Sequence, residues 1–304
     1  MSMIGALDRQ HGRRALIPYA AMLGSLIAVT AGTSFAKQLF PHVGAEGTAL
    51  YRAGFSALVL MLLWRPWRAA WSQRMLIDTL LYGAALGLMN LLFYKALERI
   101  PLGPALAIEF LGPLSVALFH SRRLLHFFWV GLAIIGLVLL LPIHGAAHRL
   151  DPVGVGYALA AAIFWALYIV FGQRGSDVHP GHAVAVGLTV AAIVIAPFGI
   201  AAAGVGLFNP HLLMIGFIAA IISSALPFSL ERVALAGIPK RTFGVLVAGE
   251  PAMGALAGML FLGEMLSLQQ WVALACIIAA GVGSVLSSVT RSTRADAAVP
   301  AVGA

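Results

Sequence analysis

The sequence predicts an all-α polytopic membrane protein, with ten transmembrane helices arranged as two inverted five-helix repeats. Three observations carry that expectation. Of 304 residues, 61% are apolar and only 10% charged, with a mean hydropathy of +0.96, far from the roughly 25% charged residues of a soluble domain. Apolar runs long enough to cross a hydrocarbon core, roughly 20 residues each, recur almost from end to end. A proline-marked word in the first half returns in the second.

Breaks at charges, Pro and Gly place the spans at 16–36, 48–64, 76–97, 102–119 and 127–141, then at 153–171, 182–201, 212–230, 242–262 and 268–288. So much chain in spans leaves short loops and no room for a separate soluble domain. The expected organisation is a tail over 1–15, a five-span repeat over 16–145, a second over 146–289 and a tail over 290–304. Arg13 and Arg14 followed by Ser34-Phe35-Ala36 imitate a cleaved signal peptide, but the first run has the full length of a span and is expected to be retained.

The net charge of +8 does not point to nucleic acid, because the basic residues stand in ones to threes between apolar runs. Starting from a cytoplasmic amino terminus, 14 of the 19 lysines and arginines fall on the inner side, which places both termini in the cytoplasm. Cys276 is the single cysteine and has no intramolecular partner. His42, His144 and His148 lie in loops without the spacing of a metal site, so neither metal nor cofactor is expected.

The repeat is read from prolines. Ile100-Pro101 leading to Pro113 recurs as Ile238-Pro239 leading to Pro251 at an offset of 138 residues, while Phe35-Ala36-Lys37 echoes Phe171-Gly172-Gln173 and Trp129-Val130 echoes Trp271-Val272. These matches align spans 1, 4 and 5 with spans 6, 9 and 10, and an odd number of spans per half forces the halves into opposite orientations. Inverted repeats imply alternating access around a site near the midplane. Gly83 with Gly87, and Gly254 with Gly258, have the four-residue spacing that lets helices approach closely.

Glu109 and Glu250 fall near the middle of spans 4 and 9, where a charged residue costs roughly 2.5–3.5 kcal/mol. Pro113 frees the carbonyl of Glu109, and Pro251 that of Val247, so each half sets a carboxyl beside a broken helical ladder. Both carboxyls are expected to face one cavity as proton carriers or as a seat for a substrate ammonium; an interhelical hydrogen bond is the structural alternative. Asn90 with Tyr94, and Trp165 with Tyr168, each share a helix face and serve as substrate clamp or as packing. Ser223, Ser224 and Pro227 set hydroxyls and a kink on span 8, for substrate or for back-bonding to the helix. Arg52, the deepest basic residue, holds a substrate carboxylate or pairs with Glu46, whereas Lys37 and Lys95 snorkel to headgroups.

These residues lie in ordered words: Met89-Asn90 with Leu92-Phe93-Tyr94, Glu109-Phe110-Leu111-Gly112-Pro113, Gly172-Gln173-Arg174, Ala225-Leu226-Pro227 with Ser229-Leu230-Glu231, Arg241-Thr242-Phe243-Gly244, and Glu250-Pro251-Ala252. Through them the chain resembles the drug/metabolite transporter superfamily, EamA-type, and within it the threonine/homoserine exporter family of bacterial inner membranes, over nearly all ten spans. The resemblance implies efflux of small neutral amino acids, threonine and homoserine in particular, by proton antiport. It also implies a central cavity onto which Asn90, Tyr94, Glu109, Trp165 and Glu250 are carried. An EamA-type exporter of aromatic amino acids, drugs or another small metabolite is the alternative, and a homodimer is left open. An intramembrane enzyme using the two glutamates as acid and base lacks any accompanying nucleophile, metal or phosphate motif, and a passive channel lacks a carbonyl filter.

Overall fold

The structure, a computed structural model, describes residues 3–119, 124–140, 150–174, 179–227, 230, 234, 246–247 and 249–296. Ile238, Pro239, Lys240 and the word from Arg241 to Gly244 lie outside the described residues, as do Ser229, Glu231, His144, His148, Arg122, Arg123, Arg149 and Arg232.

Among the described residues all regular structure is helical. Helix α1 runs over Met3–Lys37, α2 over Phe40–Trp64 and α3 over Gln73–Leu97. One expected span is split into α4, Leu102–Glu109, and α5, Leu111–Phe119. Next come α6, Leu124–Leu140; α7, Pro152–Arg174; α8, Pro180–Ala203; and α9, Pro210–Ala220, which continues into a π-helical turn at Ile221–Ala225. Helices α10, Glu250–Leu262, and α11, Leu268–Asp296, complete the bundle. Ile17–Lys37, Phe40–Trp64, Gln73–Leu97, Pro152–Gly172 and Gly181–Phe208 are long and apolar enough to cross a membrane, and shorter apolar helices accompany them.

Two starts differ from expectation. Helix α1 begins at residue 3 rather than 16, because charge ends a membrane span without ending a helix, and Leu, Arg, Gln and Ala all favour helix. Helix α2 begins at residue 40 rather than 48, yet Gly44, at φ 70° and ψ 175°, sets its first turn apart. The ladder restarts at Ala45, whose N–H donates to the Glu98 carboxylate at 3.0 Å, so an acid from a neighbouring loop caps a helix start inside the chain. Elsewhere the starts are local: Pro152, Pro180 and Pro210 open α7, α8 and α9, and Ser72 accepts from the Met75 N–H.

Helix α2 packs chiefly on α8, α3 on α7 and α8, α4 on α10, and α6 on α11, while α1 lies against α10 and the π turn. Small residues permit these approaches. A Cβ on Gly83 would come within 2.7 Å of the Gly187 carbonyl, one on Gly87 within 2.9 Å of the Ala191 Cα, and one on Gly103 within 2.8 Å of the Ala255 Cα. Gly254 sits under Leu106 and Gly258 under the Glu264 side chain.

The loop ends that carry Lys37, Arg99 and Glu264 are tied by ion pairs. Lys37 Nζ meets Glu264 at 2.7 Å, Glu264 also accepts the Leu102 N–H at 2.9 Å, Lys95 pairs with Glu46, and Arg99 bonds to Asp151 at 2.7 Å. The Arg99 contact, reinforced by the Val153 N–H, holds the Asp151 carboxyl below its usual range. Lys37 and Lys95, expected to snorkel to headgroups, each instead meet a carboxylate on a neighbouring segment within direct reach.

Gly32 is the tightest contact between α1 and the π turn, since a Cβ there would lie 2.7 Å from both N and Cα of Ser223. Backbone cannot yield as a side-chain tip can, so Gly32→Ala is expected to cost about 1–3 kcal/mol, read as a lowered Tm of the detergent-solubilised protein. Gly54→Ala, whose added Cβ meets nothing within 4 Å, is expected to leave Tm unchanged.

Candidate functional site

Where α1, α2, α3, α4, α7 and α10 converge, they enclose a cavity of about 270 Å³, near the small end of ligand-sized pockets. Glu109, Glu250, Arg52, Asn90, Trp165 and Tyr168 all line it. Bringing these six together is the main thing the structure adds to their separate positions in the sequence.

The two glutamates stand at helix breaks. Helix α4 stops at Glu109 and α5 resumes after Phe110, because Pro113 has no N–H to offer the Glu109 carbonyl four residues earlier. Glu250 opens α10 directly after Gly249, with Pro251 next in the first turn. One carboxyl thus sits at a helix C-terminus and the other at an N-terminus, ends of opposite partial charge. Glu109 is only 4% exposed, and both Glu250 and Arg52 lie within electrostatic reach of it.

Arg52 is held by three neutral acceptors. Its Nε donates to Ser224 Oγ at 2.9 Å, Nη1 to Asn90 Oδ1 at 2.9 Å, and Nη2 to the Ser223 carbonyl at 3.1 Å. Asn90 is itself oriented by donating to the Leu86 carbonyl at 2.8 Å. The Ser223 carbonyl is available for a reason visible in the sequence: its ordinary helical donor would be the N–H of residue 227, which is proline. The backbone widens there into a π turn, with the Leu226 N–H reaching back to the Ile221 carbonyl. A missing hydrogen bond in one helix becomes an anchor for a cation from another.

Several expectations need correction. Arg52 does not pair with Glu46, which lies nearer the helix end and is taken by Lys95. Tyr94 does not line the cavity although Asn90, four residues earlier, does; Tyr94 is fully buried between Phe40 and Phe93, and the Arg52 guanidinium lies 5.6 Å from its ring centroid. A shared helix face is about a hundred degrees wide, enough to put one residue in the cavity and the next in its wall. Ser224 neither back-bonds nor faces the main cavity: it accepts from Arg52 and borders a small recess with Arg52 and Asn90. Trp165 lies edge-on to Phe110, at 6.3 Å between centroids, and the Tyr168 hydroxyl meets that of Tyr82 at 3.2 Å.

Sequence reasoning missed the apolar wall on α1, made by Met22, Leu26, Val29 and Thr33. Their spacing of four, three and four is a legible stripe, but such a stripe equally marks helix packing.

Over 271 residues the chain is 44% identical to the threonine/homoserine exporter RhtA of Escherichia coli (strain K12), and to that of Salmonella typhimurium (strain LT2), covering 89% of this chain and 92% of each relative. Residues 152–286 match the EamA-like transporter family. The chain belongs to that family. It is an integral membrane transporter, and the exporters it matches are carriers by name rather than enzymes. One crystal structure also aligns, over 94% of this chain and 99% of its own, with a TM-score of 0.55 and 21% identity, a likeness of fold alone.

Within this EamA-type bundle, Pro227 is the cheapest place to disturb the cation. Pro227→Ala restores an N–H that competes for the Ser223 carbonyl, and losing one charged hydrogen bond of about 1.5–3 kcal/mol from Arg52 should lower transport roughly tenfold or more. Flux per inserted molecule in reconstituted vesicles measures this, with Gly54→Ala as the silent control.

Proposed function

We propose that this protein exports small neutral amino acids, threonine and homoserine among them, across a bacterial inner membrane in exchange for protons. It works by alternating access of two inverted halves, residues 16–145 and 146–289, with both termini in the cytoplasm. The observation that carries the proposal is the meeting of Glu109 and Glu250, each at a helix break, with Arg52 in one solute-sized cavity, in a chain whose relatives are named threonine/homoserine exporters.

Packing supports the inverted halves. On the sequence alignment of spans, α2 with α8, α4 with α10 and α6 with α11 are pairs of equivalent helices, and each pair is in contact. The contact of α3 with α7 has its counterpart in that of α9 and its π turn with α1. A near-two-fold relation of this kind gives two states of comparable energy around one site. In one state solute occupies the cavity; in the other, protons on the carboxyls neutralise charge that would otherwise be carried through the hydrocarbon.

Proteoliposomes loaded with labelled threonine are expected to release it when a proton gradient is imposed, and to show saturable counterflow. Glu109→Gln and Glu250→Gln should reduce net gradient-driven export to background while the protein still inserts; wild-type coupling in both would return the glutamates to a structural role. Movement of a hydrophobic cation with no threonine flux would favour the drug-exporting alternative.

The Lys37 and Glu264 pair joins the end of α1 to the loop between α10 and α11, and so joins the two halves. Lys37→Cys combined with Glu264→Cys, once cross-linked, is expected to stop flux, and reduction to restore it. Unchanged flux after complete cross-linking would show that these ends do not separate during transport.

A further inference from the structure

Arg52 is the one basic residue among the described residues that line the cavity. Its charge is not spent on a contacting acid, since its three hydrogen-bond partners are Ser224 Oγ, Asn90 Oδ1 and the Ser223 carbonyl, all neutral. A guanidinium has five N–H groups. Three are committed, leaving one on each terminal nitrogen unassigned among the described residues. The Tyr94 ring, 5.6 Å from the guanidinium carbon, adds a cation–π contact on a side chain that cannot move, because Tyr94 is fully buried. The cation is therefore immobilised in advance, at the wall of a cavity that also holds two carboxyls.

We propose that Arg52 is the receptor for the α-carboxylate of the transported solute, so that the cavity selects zwitterionic α-amino acids over amines, alcohols and amides of the same shape. The inference rests on the reading of the cavity as an amino-acid site. A carboxylate is the ligand whose geometry fits a planar donor fork, and it brings a negative charge that none of the three neutral acceptors supplies. The solute ammonium then finds its complement at Glu109 or Glu250. Opposite charges across one cavity recognise both ends of an α-amino acid and leave its side chain to the apolar wall.

The competing role for Arg52 is that of a strut which only fixes the π turn. Competition against labelled threonine in proteoliposomes containing the full chain separates the two. In the wild type, threoninol and threonine amide, which keep the ammonium and the hydroxyl but lack the carboxylate, are expected to compete roughly tenfold or more weakly than threonine. Equal competition overturns the proposal, and this arm needs no variant to fold. Arg52→Lys should raise the half-saturating threonine concentration about tenfold or more with a smaller change in maximal rate, and Arg52→Gln should erase the preference for threonine over threoninol. A retained preference in Arg52→Gln overturns the proposal as well. If wild-type vesicles move another carboxylated amino acid but not threonine, the threonine reading falls and the Arg52 receptor stands. If they move only solutes without a carboxylate, both fall.

Discussion

In the hydrocarbon of a bilayer, a carbonyl without a donor and a charge without a partner find no water to satisfy them. This chain places both at its centre and resolves each with the other. Pro227 leaves the Ser223 carbonyl without its helical donor, and that carbonyl accepts from Arg52. The serine after it accepts from the same guanidinium, and Asn90 completes the cradle from a third helix. Without the π turn, Arg52 would be a cation with one fewer acceptor in a place where a charge costs several kcal/mol. Without Arg52, the Ser223 carbonyl would lose the donor that replaces the N–H missing at Pro227. Helices α2, α3 and α9 are held in register by this exchange, and the cavity wall is built on it.

The glutamates follow the same constraint in a different way. Each stands where its helix is already interrupted, at the end of α4 or the start of α10. Helix ends carry exposed polar groups that a membrane tolerates only beside a cavity or inside protein. Breaks and charges therefore collect at one depth, which is why several costly features in distant parts of the sequence arrive at a single cavity.

Much of this is legible in the sequence, because the bilayer makes each anomaly conspicuous. Prolines inside apolar runs, an acid at mid-span and a deep arginine each stand out against Leu, Val and Ala, and these contrasts mark Glu109, Glu250 and Arg52, while Asn90, Trp165 and Tyr168 are marked by a shared helix face that suits a clamp or packing alike. What failed depended on distances between helices. Glu46 is one of two partners the sequence offers Arg52, the other a substrate carboxylate, but the pairing is settled across helices, where Lys95 takes Glu46. The family resemblance carries Tyr94 onto the cavity with Asn90, while their shared face suits a clamp or packing alike, and Tyr94 packs against Phe40 on another helix. The widening at Ile221–Ala225 left only Pro227 as its sign, and a proline announces a break without saying which group will use it.

Symmetry and charge then pull in opposite directions. The proposed inverted halves would favour a site that treats both ends of a solute alike, and the two glutamates, one at the end of α4 and one at the start of α10, fit that relation. Arg52 does not. Helix α8, on which α2 packs, contains no Lys, Arg, Asp or Glu, so that helix supplies no lysine or arginine to match Arg52. One positive group beside two carboxyls gives the cavity a direction. On the proposed reading, a solute with a negative and a positive end has one favoured orientation in it, and that orientation would be kept as the frame changes the side on which the cavity opens.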